Sequence, residues 1–353
     1  MADEHFISAS GVVKIFQVAG LEVVALQGLD LEVARGEILA LVGPSGSGKS
    51  TLLSALGGLD RPSAGKLEVE GQNLLKLNQN ELTTYRREQV GFVWQQTTRN
   101  LLPYLTAREN VTLLMTLAGR RPSERRAWAN ELLEAVGMTE YAKQKPPQLS
   151  GGQQQRIAIA CALANKPKIL LADEPTGEVD WPTAQMILTL LRDLRARYGL
   201  TIVIVTHDPR VAEQADRVIA IRDGQTSTET VRSTDHRPLT TDHSADTETS
   251  SVVGRRSSSQ ELVVLDSAGR LQLPGEQRAL AGIGRRARVE LVDGGILIRP
   301  ADDDRAESLA ADTVVADPAY QSLYSADPPP NATNGTGNGK RGWRVGKAKR
   351  NTK

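Results

Sequence analysis

The chain of 353 residues carries 43 lysines and arginines against 42 aspartates and glutamates, a formal net charge of +1. A balance this even gives no global pull toward nucleic acid or an anionic membrane, so any partner has to be recognised locally. The length admits more than one domain, the single cysteine excludes an intrachain disulfide, and no run of about 18 apolar residues offers a membrane-spanning helix.

The N-terminus, Met1-Ala2-Asp3-Glu4-His5, has neither a basic nor an apolar region and does not read as a secretory signal. The first strong pattern is an apolar run, Ile38 to Val42, followed by Gly43-Pro44-Ser45-Gly46-Ser47-Gly48-Lys49-Ser50-Thr51 and then by Leu52, Leu53, Ala55 and Leu56. A G-x-x-x-x-G-K-S loop between a predicted strand and a predicted helix is the setting that a phosphate-binding loop needs. Its glycines let successive N–H groups turn toward an anion, and the following helix presents its positive end. Lys49 then reaches the β- and γ-phosphates, and the Ser50 hydroxyl can ligate Mg2+.

Further on, residues 107–117 and 123–136 predict helices, the second with Ser123 as N-cap after Pro122. Cys161 sits in an apolar helical stretch, where it reads as a small packed hydrophobe in a reducing compartment. Residues 168–172 predict a strand ending on Asp173-Glu174, where Asp173 is placed to hold Mg2+ and Glu174, one residue on, to face an attacking water. Residues 184–198 predict a helix, and Thr201-Ile202-Val203-Ile204-Val205 predicts a strand running into Thr206-His207-Asp208. This βα alternation predicts an α/β core with parallel strands.

Between the phosphate loop and the acidic strand end lies Leu149-Ser150-Gly151-Gly152-Gln153. With the motifs in that order, the chain resembles ABC nucleotide-binding domains over residues 5–225. The resemblance implies a P-loop ATPase domain with a mixed sheet and a helical subdomain, ATP and Mg2+ as ligands, and hydrolysis as the activity. It implies that Phe16 stacks on adenine, and that Gln95, in Gly91-Phe92-Val93-Trp94-Gln95, senses Mg2+ and the attacking water beside a membrane partner. It also implies that His207 contacts the γ-phosphate and that Asp180 is the aspartate of the D-loop. Ser150 and Gly152, within the signature 150–153, would contact the γ-phosphate bound to an opposite subunit, so the catalytic unit would be a head-to-tail homodimer. One departure stands out: Gly177-Glu178-Val179-Asp180 is followed by the bulky Trp181-Pro182.

Three segments resemble the ATPases of lipoprotein-release and macrolide-export systems, the LolD- and MacB-like group. They are Gly57-Gly58-Leu59-Asp60-Arg61-Pro62, the segment 101–111 and Asp173-Glu174-Pro175-Thr176-Gly177. The likeness implies a cytoplasmic protein, peripheral on the inner face of the cell membrane, that drives an integral-membrane permease on a separate chain.

Residues 226–260 are rich in Thr, Ser, Asp and His and read as a disordered linker. Residues 261–300 predict short strands, a short helix from Gly275, and a hairpin around Asp293-Gly294-Gly295. This segment resembles the swapped-hairpin barrel of AbrB/SpoVT regulators, on Gly269-Arg270-Leu271-Gln272-Leu273-Pro274, Gly282-Ile283 and Arg299-Pro300. About 40 residues make too small a core to stand alone, so such hairpins interleave with a second copy. Arg270, Arg285, Arg286 and Arg288 suit DNA or simply a solvated surface on a dimerisation module. The alternative function is therefore a soluble ABC ATPase or ATP-sensing regulator acting on nucleic acid. Residues 301–353, acidic at first and basic at the end, predict a disordered tail.

Overall fold

A computed structural model describes residues 5–18, 20–233, 258–263, 273, 275–283, 287–292 and 295–300. In chain order the elements are β1 (His5–Val18), β2 (Leu21–Ala34), β3 (Ile38–Val42), α1 (Lys49–Leu56), β4 (Ala64–Val69), β5 (Gln72–Asn73), α2 (Gln79–Glu88), β6 (Val90–Val93) and α3 (Thr97–Asn100). There follow α4 (Ala107–Leu117), α5 (Pro122–Ala135), α6 (Gly151–Ala162), β7 (Ile169–Asp173), α7 (Trp181–Tyr198), β8 (Thr201–Val205), α8 (Pro209–Ala212), β9 (Arg217–Arg222) and β10 (Gln225–Ser233). The last are β11 (Ser258–Val263), α9 (Gly275–Leu280), β12 (Ala287–Val292) and β13 (Gly295–Pro300).

The main sheet has the order β11-β10-β9-β3-β8-β7-β6, parallel from β9 to β6 and antiparallel at the β10 and β11 edge. Strands covered on both faces must be apolar throughout, which is why β3, β7 and β8 read as unbroken apolar runs. Their side chains alternate between two cores, as a two-residue repeat requires. Ala40, Leu170, Ala172, Ile202 and Ile204 face the helices α5, α6 and α7, while Leu39, Leu41, Leu171, Val203 and Val205 face α1 and the second sheet. That second sheet, β2-β1-β4-β5, is antiparallel and interrupted by bulges along β1. The helical segment between β6 and β7 contains α4, closed by a Thr106–Glu109 capping box, and α5.

Two expectations are corrected. Helix α5 begins at Pro122 with Arg121 as N-cap, so Ser123 does not cap it: proline, fixed in helical φ and lacking an N–H, takes the first turn itself. The linker expected over 226–260 begins in a strand, because β10 continues to Ser233, with Thr226 and Ser227 buried. Threonine is β-branched and suits a pleated strand, whatever its bulk composition suggests. At the other end, β11 pairs with β10 from Thr228↔Val263 to Ser233↔Ser258, so the first strand expected of the C-terminal module extends the main sheet.

The chain divides into two compact units, 1–278 and 279–353. Within the second, β12 and β13 form an antiparallel hairpin from Ala287↔Pro300 to Val292↔Gly295. Arg270, Arg285, Arg286 and the expected tail 301–353 lie outside the described residues.

Candidate nucleotide site

The loop 43–48 joins the C-terminal end of β3 to α1 and takes positive φ at Gly43, Gly46 and Gly48. Glycine is required at two of these by close approach as well: a Cβ on Gly43 would lie 2.1 Å from the Ile221 carbonyl oxygen, and one on Gly48 2.5 Å from that of Ala25. The loop is braced by the β9–β10 turn, where Gly224 N–H donates to the Ser47 carbonyl at 3.0 Å and Gln27 N–H donates to the Gly224 carbonyl at 2.9 Å. The Lys49 side chain folds back over this loop and donates to the carbonyls of Gly43 and Pro44, both at 2.8 Å. Burial holds its pKa below the ordinary lysine value, against the opposing pull of Glu174 and Asp173.

Asp173 closes β7, and the Ser50 hydroxyl donates to its Oδ1 at 3.4 Å. Burial first, and then the Glu174 charge, push its carboxyl above the ordinary aspartate range, with Ser50, Lys49 and Arg99 pulling the other way. A raised folded-state pKa means that the folded chain favours the neutral acid. At neutral pH the ionised form therefore costs stability, and the cost disappears as pH falls through that range. Asp173→Asn is accordingly expected to raise the melting temperature of the nucleotide-free protein at pH 7 by about 2 °C. A fall on thermal melting would show that Lys49 and Ser50 already compensate the charge. Two hard oxygen donors, one of them carrying this under-compensated charge, suit Mg2+.

Glu174 follows in a left-handed backbone conformation, φ 47°, that a side chain rarely adopts. Its N–H donates to the Val205 carbonyl at 2.9 Å, tying the end of β7 to the end of β8. The carboxylate sits between two partners: His207 Nδ1 lies 2.7 Å from Oε1, and Gln95 Nε2 donates to Oε2 at 3.3 Å. A carboxylate only accepts, so the histidine contact is an Nδ1–H donation. Strain kept at a carboxylate with two organised partners marks a functional position. The Gln95 loop is itself latched by Asn100, which accepts from Trp94 N–H and donates to the Trp94 carbonyl, both at 2.9 Å.

Lys49, Ser50, Asp173, Glu174, Gln95 and His207 thus converge where the parallel strands end, the place where open α/β sheets bind ligands. The other expected residues stand elsewhere. Phe16 is half-buried on β1 opposite Val23, with Lys14 Nζ 4.7 Å from its ring centre. Ser150 caps α6, exchanging hydrogen bonds with Gln153, and Gly152 lies so close to Thr183 that a Cβ would come within 2.4 Å of its methyl. Asp180 is exposed at the N-cap of α7. No hydrogen bond among the described residues joins 150–153 to the loop 43–51. Asn100, and the Asp223–Gly224 turn behind the loop, were not foreseen from the sequence. An Asp-Gly pair between two strand-like segments was the available signal for the turn.

A glycine loop opening a helix, paired acids at the end of a buried parallel strand and a capped signature helix define a nucleotide-binding P-loop cassette. Residues 26–177 match the family described as ABC transporter. The chain is 46% identical over 225 residues to the macrolide export ATP-binding/permease protein MacB of Marinobacter nauticus, covering 64% of this chain and 34% of that protein. It is 46% identical over 219 residues to the ABC transporter ATP-binding protein YvrO of Bacillus subtilis, covering 62% of this chain and 94% of that one. The dimeric structure of MJ0796, a bacterial ABC transporter cassette, is matched with a TM-score of 0.58 and 43% identity, over 63% of this chain and 97% of that one. The chain belongs to the ABC transporter family as an ATP-binding cassette, and it spans about a third of the length of the MacB protein it matches. No helix among the described residues is long and apolar enough to cross a membrane.

Proposed function

We propose that this chain binds ATP with Mg2+, hydrolyses it as one half of a homodimer, and so powers an integral-membrane permease of the LolD/MacB type on a separate chain. The observation that carries the reading is the Glu174 carboxylate, held between His207 and Gln95 on the strand that ends in Asp173. Lys49 exchanges the carbonyls of Gly43 and Pro44 for the β- and γ-phosphates, and the N–H groups of 43–51 (Gly43, Pro44 excepted, Ser45, Gly46, Ser47, Gly48, Lys49, Ser50, Thr51) surround them. Ser50, Asp173 and Gln95 would hold Mg2+, which supplies charge neutralisation between the phosphates. Glu174 accepts a proton from the attacking water, and His207, oriented through Nδ1, turns its other nitrogen to the γ-phosphate.

Phe16 offers its ring to adenine. The signature, Ser150, Gly151, Gly152 and Gln153, and Asp180 complete the site of the opposite subunit, which accounts for their separation from the loop within one chain. The cassette is taken to run from 5 to 233, peripheral on the inner face of the cell membrane. For the C-terminal segment we infer a second dimer contact of the AbrB-like swapped-hairpin kind, with the β12–β13 hairpin as its supporting element.

One purification tests these assignments, using two differently tagged copies of the full chain drawn from solubilised membranes without ATP. A multi-spanning protein and the second copy are the expected companions. DNA or ribosomes in place of the permease would favour the regulator reading, and absence of the second copy would remove the C-terminal contact.

A further inference from the structure

His207 needs external support to keep its aim. Its side chain is 71% exposed, and Nδ1 meets the Glu174 carboxylate at 2.7 Å. An imidazole this exposed takes its direction from the backbone of its loop. That loop is pinned on one side by Asp208 N–H donating to Thr206 Oγ1 at 3.1 Å. On the other side Asp208 caps α8, accepting from Arg210 N–H at 2.9 Å, and also grips the Arg210 guanidinium, with Nη2 at 2.7 Å from Oδ2 and Nε at 3.1 Å from Oδ1. Arg210 holds the Asp208 carboxyl below the ordinary aspartate range.

The guanidinium does not end at Asp208. Its Cζ lies 4.4 Å from the ring centre of Trp181, the first residue of α7 and the neighbour of Asp180. Trp181 is packed against the helix-facing core, so its ring is a fixed surface and not a second loose partner. A planar cation with an aromatic face on one side and a carboxylate fork on the other is restricted in both translation and rotation.

The geometry points to Trp181 and Arg210 as positioning residues that strap the start of α7 to the loop carrying His207, so that the segment after Asp180 fixes the aim of His207 on Glu174. The bulky residue that departs from the pattern of related cassettes thereby acquires a role within its own chain. The inference rests on the hydrolytic reading given above. Neither residue is among those assigned above to nucleotide or Mg2+. Their loss should alter turnover and leave ATP binding alone.

The test is steady-state ATP hydrolysis by the full chain with separate measurement of ATP affinity and thermal melting. Arg210→Ala and Trp181→Ala are each expected to lower kcat about tenfold, the scale of a small misplacement of a reacting group, with KM and ATP affinity within about twofold. Trp181→Phe, which keeps an aromatic face, should recover most of the rate. The double variant should be no slower than the slower single variant, because both remove one strap. Arg210 is exposed, so its alanine variant should melt within about 2 °C of wild type, whereas Trp181→Ala also loses packing against the core and should melt lower, a loss that Trp181→Phe largely avoids. Wild-type rates in either alanine variant, multiplying effects in the double variant, or a Phe variant as slow as the Ala variant would overturn the strap while leaving the hydrolytic reading in place. A wild-type chain without ATPase activity would instead overturn that reading and the strap with it.

Discussion

Glu174→Gln is expected to bind ATP as well as the wild-type chain and to turn it over at least ~100-fold more slowly, the scale on which general-base catalysis contributes. The amide keeps the shape of the side chain and does not disturb Asp173 or Ser50. What it lacks is a second acceptor. The wild-type carboxylate accepts from Gln95 Nε2 on one oxygen and from His207 Nδ1 on the other. A glutamine can satisfy only one of them with its oxygen. Turned toward Gln95, it presents its NH2 to His207 and forces the other tautomer; turned toward His207, it sets NH2 against NH2 until the Gln95 amide turns over and loses its present direction. The water therefore loses its base, and the two groups around it lose their alignment. With ATP bound and not consumed, nucleotide-loaded dimers should accumulate and be seen by size-exclusion chromatography. Near wild-type hydrolysis in this variant would transfer the base role to another residue, His207 first.

The parts of this protein that were legible in its sequence share one property: their pattern is local. Strands β3, β7 and β8 are buried on both faces, so burial writes an unbroken apolar run into the chain. The phosphate loop and the acid pair are contiguous motifs. The antiparallel sheet is not legible, although it contains the two longest strands among the described residues, β1 and β2. Register shifts between Ala9 and Val12, Val12 and Val13, and Lys14 and Ile15 break the two-residue alternation by which a half-buried strand is recognised. β10 was hidden by composition, since its buried Thr226 and Ser227 are residues that also populate linkers.

The site divides in the same way. Six expected residues meet at the ends of the parallel strands because strand ends converge there whatever the connecting loops do. Asn100 and Asn110 act on irregular backbone, which no motif encodes, while the Asp223–Gly224 turn carries a local Asp-Gly signal but braces a loop far away in the chain. Asn110 is the clearest instance: a buried amide on α4 that accepts from Leu102 N–H at 2.7 Å and donates to the carbonyls of Leu102, Leu105 and Thr106. It closes the 101–106 loop, and a polar residue in an apolar helical stretch was its only trace.

Lys49→Ala and Gln95→Ala separate binding from turnover. The Lys49 ammonium donates to two loop carbonyls, an arrangement that holds it over the loop proposed to receive the phosphates. Exchanging those neutral acceptors for two anionic ones is a strongly favourable substitution, because a charge-assisted hydrogen bond is roughly twice as strong as one to a neutral acceptor. Without the ammonium, ATP affinity is expected to fall at least ~tenfold and hydrolysis to be lost, because one point charge facing two phosphates is gone. Folding should change little, because the two loop hydrogen bonds lost with the ammonium and the burial cost removed with it act in opposite directions. Burial depresses the Lys49 pKa, so the folded chain disfavours the charged form, and alanine at the first position of α1 removes that cost without lowering helix propensity. Gln95 directs its amide at the Glu174 carboxylate, and the loop carbonyls are met by Lys49 instead. Gln95→Ala should therefore leave ATP affinity within about twofold while slowing turnover by about tenfold, less than the ~100-fold expected when the base itself is lost. Titration with a fluorescent ATP analogue distinguishes the two variants. Equal loss of affinity in both would mean that Gln95 binds nucleotide directly and that its contact with Glu174 does not describe its work.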